Sequence, residues 1–337
     1  MINNIPLTKI MPKLSDLYDI CLIEVSDITI HNAGPHGQIC EITLPEETRV
    51  AVSNGVVDLG NGYESTPRKE LEQNRTEWFY KQMNEYRETE ETQIATQDNP
   101  FRFSAGGALG ITTDGYFVFI ERDQGAPTYK GYLTAATGLS ENMDAIYDPS
   151  KIVAHELQEE LTLLDEDGNI CVWKHEGMSD EDYALMEELA KLRAEKTELD
   201  YSGIIPHEVT SIDIGSENTY ILIVKNSNGD ELSRNKGIVN FDPATSGIDF
   251  LNIVKLDFSY EDVKSGKYRV VDTETFGGNN RTERNIVYVH KDELLNSSTK
   301  SISGIVYNHW TGTKSKEKEF DREMFTPVAN EMINAYM

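Results

Sequence analysis

The chain has 337 residues, of which 58 are acidic and 31 are basic, and its formal net charge is −27. Such a field argues against non-specific nucleic-acid binding, but it leaves open a small phosphorylated substrate, because bound metal can reverse the local charge. No apolar run is long enough to span a membrane and no signal peptide is evident, so we expect a cytoplasmic protein with reduced thiols at Cys21, Cys40 and Cys171.

Residues 1–99 are predicted to form a β-rich N-terminal region. Its β-prone runs end at turn sequences and comprise Ile20–Val25, Gln38–Leu44 and Arg49–Val52. Residues 66–87 have a helical pattern and lead into an acidic, polar stretch that we interpret as a linker. The β-rich character would suit a contact between two copies of the chain in a homodimer.

Residues 100–337 are predicted to form a second, larger domain. Ala108–Thr112 and Tyr116–Glu121 are apolar, β-prone runs joined through Asp114 and Gly115, which is a strong signal for a β-hairpin. Arg122 follows the second run directly, and Tyr132 lies beside the loop that leads to the next helix.

The sequence predicts where that helix begins and which of its sides is apolar. Asp148 is a suitable N-cap and Pro149 suits the first helical position. Apolar residues recur at helical spacing and form one face, made of Val153, Ala154, Leu157, Leu161 and Leu164.

A second face of the same helix is acidic. Glu156, Glu159 and Glu160 have the spacing i, i+3, i+4, which brings their side chains together. Like charges at this spacing repel one another, and a hard divalent cation such as Mg²⁺ would remove that cost. The alternative for the three glutamates alone is an ordinary solvated face.

The later part of the chain carries further predicted elements. Three strands are expected after a short one at Cys171–His175, namely Tyr220–Lys225, Asn252–Phe258 and Ile286–His290. Asp180–Leu199 reads as a charged helix and is interpreted as an insertion near residues 180–199. A closing helix is predicted at Thr326–Tyr336, with Thr326 as N-cap and Pro327 at the first position.

The segment 138–163 resembles the box of the Nudix hydrolase family. Gly138, Glu141 and Asp144 resemble its first half, and the second half is matched by Glu156, Leu157, Glu159, Glu160 and Leu163. The preceding order of strand, Asp-Gly turn, strand ending in arginine, loop and strand is also similar to that of the family.

Four departures separate the chain from the Nudix pattern. Asp144 stands where the family has glutamate, His155 replaces an arginine that positions the glutamates, and Thr162 replaces the second glycine. The spacer Ala145–Ala154 is also longer than the family's. These changes imply reduced or altered activity.

The resemblance implies an α/β (α+β) fold in which a Nudix-like mixed β-sheet is sandwiched between helices. It further implies hydrolysis of a phosphoanhydride in a nucleoside diphosphate linked to another moiety, such as a sugar nucleotide, ADP-ribose or a dinucleotide. Glu156, Glu159 and Glu160 would hold Mg²⁺ or Mn²⁺, and they are also catalytic candidates.

Other site residues follow from the same resemblance. Arg122 and Tyr132 would contact the small nucleotide substrate, as would Gly138 in the box. The general base would be a box glutamate or one on a later loop, where Glu274 and Glu283 flank a glycine-rich stretch.

Two other functions remain open at this point. A Nudix-fold protein that binds nucleotides with little catalysis would account for His155 and Thr162. A zinc-dependent hydrolase would use His155, because His155-Glu156-x-x-Glu159 is one substitution away from the His-Glu-x-x-His zinc motif.

Overall fold

The computed structural model describes the chain in segments. They are residues 22–25, 27–32, 38–43, 56–57, 66–67, 103–122, 129–139, 149–175, 178–214, 220–225, 231–242, 247–273, 285–295, 300–308 and 310–337. Several predicted features lie outside these residues, namely the strand Arg49–Val52, Glu141, Asp144, the N-cap Asp148, Glu274 and Glu283.

Five helices are found in the described residues: α1 (Pro149–Glu160), α2 (Asp180–Thr197), α3 (Tyr260–Ser265), α4 (Lys291–Leu295) and α5 (Pro327–Tyr336). The strands up to the first helix are β1 (Leu22–Val25), β2 (Asp27–Asn32), β3 (Gln38–Thr43), β4 (Val56–Val57), β5 (Thr66–Pro67), β6 (Phe103–Ile111), β7 (Tyr116–Glu121), β8 (Leu133–Thr134) and β9 (Ala136–Leu139). The later strands are β10 (Thr162–Asp165), β11 (Asn169–His175), β12 (Gly203–Ser211), β13 (Tyr220–Lys225), β14 (Glu231–Asp242), β15 (Gly247–Leu256), β16 (Tyr268–Val271), β17 (Asn285–His290), β18 (Ser301–Asn308) and β19 (Lys314–Asp321).

One large mixed sheet organises the molecule. Its main path runs β16-β10-β11-β12-β15-β6-β7-β17-β18-β19, and five further strands pair off this path. Most neighbours are antiparallel, whereas β6 with β15, β11 with β12 and β1 with β13 are parallel. The predicted mixture of helices with a mixed sheet is therefore confirmed at the level of fold class.

The sheet is packed by helices on both faces. Along β7, Val118 and Ile120 belong to the core cluster that contains Leu157 of α1. Phe117 and Phe119, which point the other way, belong to the cluster that contains α5. This alternation places α1 and α5 on opposite faces of the sheet.

The predicted hairpin before α1 is confirmed. Gly110 pairs with Val118 across β6 and β7, and the connecting turn uses Gly115 at a φ of 88°. The hydroxyl of Thr112 donates to Asp114 over 2.6 Å. The Asp-Gly pair thus does what its conformational preferences predict.

Helix α1 is shorter than the apolar pattern predicts. It ends at Glu160, and the next residues, Thr162–Asp165, form β10 between β11 and β16. Leu161 and Leu164 are buried as predicted, but Leu164 is a strand residue. A short apolar run is compatible with the periodicity of a helix or of a strand. Here the pairing of Thr162–Asp165 with its neighbours in the sheet makes this segment a strand.

Other predicted elements agree closely with the structure. Cys171–His175 lies within β11, Tyr220–Lys225 is β13, and Ile286–His290 lies within β17. The strand predicted at Asn252–Phe258 begins earlier, at Gly247, and ends at Leu256. The charged helix is also present as α2, with Ser179 as its N-cap.

The two ends of the chain join this architecture differently. Leu22 of β1 pairs in parallel with Ile221 of β13, so the N-terminal region contributes a strand to the large sheet. Thr66–Pro67, where a helix was predicted to begin, instead pair with Val56–Val57. At the other end, α5 begins as predicted, with Thr326 accepting from the Ala329 amide. Among the described helices, none has the length and apolar character needed to cross a membrane.

Candidate functional site

The acidic face of α1, formed by Glu156, Glu159 and Glu160, is buried. Each of the three residues retains only 3–4% of its accessible surface. The solvated alternative considered for these glutamates is therefore wrong. Burying ionised carboxylates is costly without compensation, so what contacts each one decides what the site can do.

Gly138 of β9 lies directly against Glu156. A Cβ atom added to Gly138 would lie 2.6 Å from the carboxylate carbon of Glu156, which is closer than atoms can approach. Only glycine leaves room for this carboxylate beside the strand. The structure thus brings together two residues that were predicted to belong to one site.

The preceding residue of the same strand, Thr137, contacts Glu160. The backbone N–H of Thr137 donates to Oε2 of Glu160 over 2.6 Å. Thr137 is positioned because β9 pairs antiparallel with β6, opposite Gly107. Two neighbouring residues of β9 therefore contact two of the three carboxylates.

Glu159 is held from a different element, the helix α2. The Nε of Arg193 donates to Oε1 of Glu159 over 2.7 Å, and Nη2 forms an ion pair with the same oxygen. Arg193 is itself only 8% exposed. A guanidinium and a carboxylate thus form a buried, charge-assisted pair.

The end of α1 is held by two threonines. Thr273 donates both its backbone N–H, over 2.7 Å, and its hydroxyl, over 2.9 Å, to the carbonyl of Glu159. The hydroxyl of Thr162 donates to the carbonyl of Gln158 over 2.5 Å and lies 3.1 Å from the Thr273 hydroxyl. These bonds occupy carbonyls that a helix end leaves without intrahelical partners.

Thr162, which stands where the resembled pattern has a glycine, does not need that residue's conformational freedom. It is an ordinary strand residue of β10 and is not among the described residues with positive φ, Tyr129 and Glu198. No left-handed backbone is therefore required where the chain leaves α1.

Charge at the end of α1 is unfavourable within the helix itself. Glu159 and Glu160 lie in its last turn, at the negative end of the helix dipole, and this turn holds no basic residue. Within this turn no side chain offers a positive charge, and Arg193 of α2 supplies one.

The predicted substrate residues Arg122 and Tyr132 contact each other. The Arg122 amide donates to the carbonyl of Tyr132 over 2.9 Å, and the rings of Tyr132 and Tyr129 lie 5.7 Å apart. Both Arg122 and Tyr132 are half-buried, as is His155 on α1. The predicted base Glu283 lies outside the described residues.

The donor set of α1 is chemically suited to a hard divalent cation, since it consists of carboxylate oxygens. Among the described residues, however, no three His, Cys, Asp or Glu side chains converge as a ready ligand cluster. The three glutamates therefore remain predicted ligands.

Cys171, near this helix, is not a candidate nucleophile. It is fully buried in β11, and burial, reinforced by the charge of Asp165, raises the pKa of its thiol to about 12. At neutral pH it stays a thiol, which is the unreactive form.

Sequence reasoning missed Arg193, although a signal was present. The buried residues of α2 are Met186, Ala190, Arg193, Ala194 and Thr197. Their spacing of three and four residues places Arg193 on the apolar side of a helix that otherwise looks like a charged surface helix. An arginine in such a stripe needs a buried partner, and Glu159 is that partner.

A scan against models of protein families and a search of curated proteins give no match to this chain. What the site does is therefore argued from its own geometry.

Proposed function

We propose that the chain is a Nudix-like, metal-dependent hydrolase. It would cleave a phosphoanhydride in a nucleoside diphosphate linked to another moiety, of the sugar nucleotide, ADP-ribose or dinucleotide class. The observation that carries the proposal is the burial of three carboxylates on one helix, two of them bonded to groups of neighbouring elements and the third lying against Gly138. Glutamates on a solvent-exposed helix face would need no such contacts.

The order of elements supports the same proposal. The strand β6, an Asp-Gly turn, the strand β7 followed directly by Arg122, and the strand β9 precede α1, in the order that the Nudix resemblance implies. Gly138, the first glycine of the matched pattern, contacts Glu156 from its second half. Two parts of a sequence motif that meet in space are more informative than either part alone.

The glutamates of the acidic face would hold Mg²⁺ or Mn²⁺. When bound, such an ion would neutralise the diphosphate and lower the pKa of the attacking water. The remaining work falls to the chain: Arg122 would orient the substrate phosphates, and Tyr132 would contact the nucleobase or sugar. A glutamate of the box or Glu283 would accept the proton of the water. Positioning and charge neutralisation can account for most of phosphoryl-transfer catalysis.

The test is turnover of a panel containing ADP-ribose, UDP-sugars, NAD(H), diadenosine polyphosphates and nucleoside triphosphates, with Mg²⁺ or Mn²⁺. Wild type is compared with Glu159→Gln/Glu160→Gln and with the charge-matched control Glu181→Gln/Glu188→Gln, whose residues are exposed on α2. We expect metal-dependent turnover in the wild type and the control, and its loss in the first variant. Equal turnover in all three would exclude the acidic face as the catalytic site.

A second function, nucleotide binding with little catalysis, is favoured by one observation. An oxygen of Glu159, a predicted ligand, already accepts from Arg193. This function predicts nucleotide affinity in calorimetry without turnover on the panel.

The zinc-dependent alternative makes a separate prediction. Glu159, whose Oε1 accepts from Arg193, would join His155 as a ligand. This hypothesis therefore requires stoichiometric zinc that survives dialysis, together with loss of activity in His155→Ala. Metal analysis of the purified protein decides it.

A further inference from the structure

We infer that Arg193 is a positioning residue of the proposed active site, so that α2 is part of the site and not a peripheral insertion. This inference rests on the proposed function. Arg193 acts through Glu159, whose carboxylate it holds, and is not itself assigned a contact with substrate.

The geometry of the ion pair is that of a fixed support. Two nitrogens of one guanidinium, Nε and Nη2, contact a single oxygen of Glu159. The two side chains are 10% and 6% exposed, so water competes little for either group. Because the guanidinium and the carboxylate are both buried, the planar guanidinium restricts the orientation of the carboxylate far more than a solvated lysine would.

Helices α1 and α2 are joined at a second point. Lys151, near the start of α1, forms an ion pair of 2.9 Å with Asp182, near the start of α2. Glu159 and Arg193 join the later parts of the same helices, so the helices run side by side in the same direction. Between the two ion pairs, Ala154 belongs to one apolar cluster with residues of α2. The guanidinium is therefore delivered by a docked helix and not by a loose side chain.

The position of His155 is the one from which the resembled pattern supplies an arginine. His155 precedes Glu159 by four residues on α1, which is the spacing at which a side chain reaches its neighbour one turn later. Arginine stands at this position in the pattern that the box resembles. In this chain an arginine of α2, Arg193, donates to Glu159.

The first experiment compares steady-state kinetics of Arg193→Met, Arg193→Lys and the control Lys196→Gln, which removes an exposed cation from the same helix. We expect Arg193→Met to lower kcat by about a hundredfold with little change in KM, because a displaced carboxylate impairs the chemical step. Arg193→Lys is expected to recover only part of kcat, and Lys196→Gln to match the wild type. A folded Arg193→Met protein with wild-type kcat would overturn the inference.

The second experiment moves the cation back onto α1. The double variant His155→Arg/Arg193→Met offers Glu159 an arginine from the position one turn earlier. We expect it to recover most of the turnover lost in Arg193→Met, because Glu159 again has a guanidinium within reach. Turnover as low as that of the single variant would overturn the inference.

A third readout needs neither metal nor substrate. Thermal unfolding of the metal-free wild type, Glu159→Gln, Arg193→Met and the double variant forms a cycle that measures the coupling of the two residues. We expect Arg193→Met to lower Tm by several degrees, and by less when Glu159 is already glutamine. Additive changes in Tm would show that Arg193 and Glu159 are not energetically coupled, and would overturn the inference that Arg193 holds the Glu159 carboxylate.

The outcomes separate this inference from the proposed function. A wild type without turnover on any substrate of the panel would overturn the proposed function, and with it the role of Arg193. An active wild type whose Arg193→Met variant keeps its kcat would overturn the role of Arg193 alone.

Discussion

The carboxylates of Glu156, Glu159 and Glu160 lie within two turns of one helix, yet each lies against a different neighbouring residue. Gly138 makes room for the first, Arg193 pairs with the second, and the Thr137 amide donates to the third. Side chains that are fixed separately can be tested separately. The residue scale therefore offers the sharpest tests of the site.

Gly138→Ala is expected to displace the carboxylate of Glu156, because the added methyl group overlaps it. We expect a loss of about 1–3 kcal/mol in the free energy of unfolding and a larger fractional loss of turnover. Denaturant unfolding and steady-state kinetics measure the two effects.

The control for Gly138→Ala is Gly266→Ala. Gly266 has a φ of 84° with no atom within 4 Å of an added Cβ, so this variant is strained but remote from the acidic face. It should lose stability and keep its turnover. If both variants lost activity in proportion to stability, Gly138 would have no special part in the site.

Thr162→Gly is expected to destabilise the chain, although it restores the residue of the matched pattern. It removes a buried hydroxyl that donates to the carbonyl of Gln158, removes a methyl group, and adds backbone freedom in a strand. The expected cost is about 2–3 kcal/mol in the free energy of unfolding. Denaturant unfolding measures it, and an unchanged or raised stability would show that this position prefers glycine after all.

At the scale of elements, the docking of α2 on α1 depends on ionised groups at both ends. The Lys151 ammonium, and then the Ser179 hydroxyl, donate hydrogen bonds to Asp182 and hold the pKa of its carboxyl below the usual value. Since the folded pKa is depressed, the stabilisation is present above the usual pKa of aspartate and is lost as the pH falls through the folded value.

Asp182→Asn should therefore lower the free energy of unfolding by about 0.2–1 kcal/mol at pH 7, as expected for a partly exposed ion pair. The difference from wild type should shrink as the pH falls below about 4. Urea unfolding across this range measures it, with the exposed Glu188→Gln of α2 as control. A difference that did not depend on pH would assign the effect to something other than the charge of Asp182.

Elements with strong local signals were predictable from the sequence. The Asp114–Gly115 turn, the cap at Thr326, and β13 each depend on neighbouring residues in the chain. The end of α1 was not predictable, because Thr162 leaves the helix in order to pair with Val271, more than a hundred residues later.

The candidate site divides along the same line. The sequence predicted that the three glutamates share one face of α1. The resemblance to the Nudix box predicted that Gly138 belongs to the same site. Their burial depends on β9, α2 and the Thr273 segment together, which no local pattern specifies. The partner of Glu159 was hidden because a single arginine in a charged helix is normally solvated.

At the scale of the whole molecule, net charge dominates. A formal charge of −27 means that carboxylates repel one another across the fold, and dissolved salt screens this repulsion. We expect Tm to rise as NaCl increases from about 10 to about 200 mM, to a similar extent in wild type and in Glu159→Gln/Glu160→Gln.

Mg²⁺ at matched ionic strength should raise Tm further in the wild type alone, since specific binding to the folded state adds to screening. Thermal unfolding in the two salts measures the difference. An equal response of the variant to Mg²⁺ would place any cation binding elsewhere on the surface.

Trp173 of β11 has a consequence for how the molecule can be observed. Its side chain is fully buried, its indole N–H donates to the carbonyl of Leu161, and its backbone N–H donates to the side chain of Gln158, both over 3.0 Å. Trp173 therefore contacts both the last turn of α1, through Gln158, and Leu161, which directly follows that helix. In a Trp78→Phe/Trp310→Phe background it becomes the sole tryptophan, and its emission then provides a built-in optical reporter of cation and nucleotide arrival.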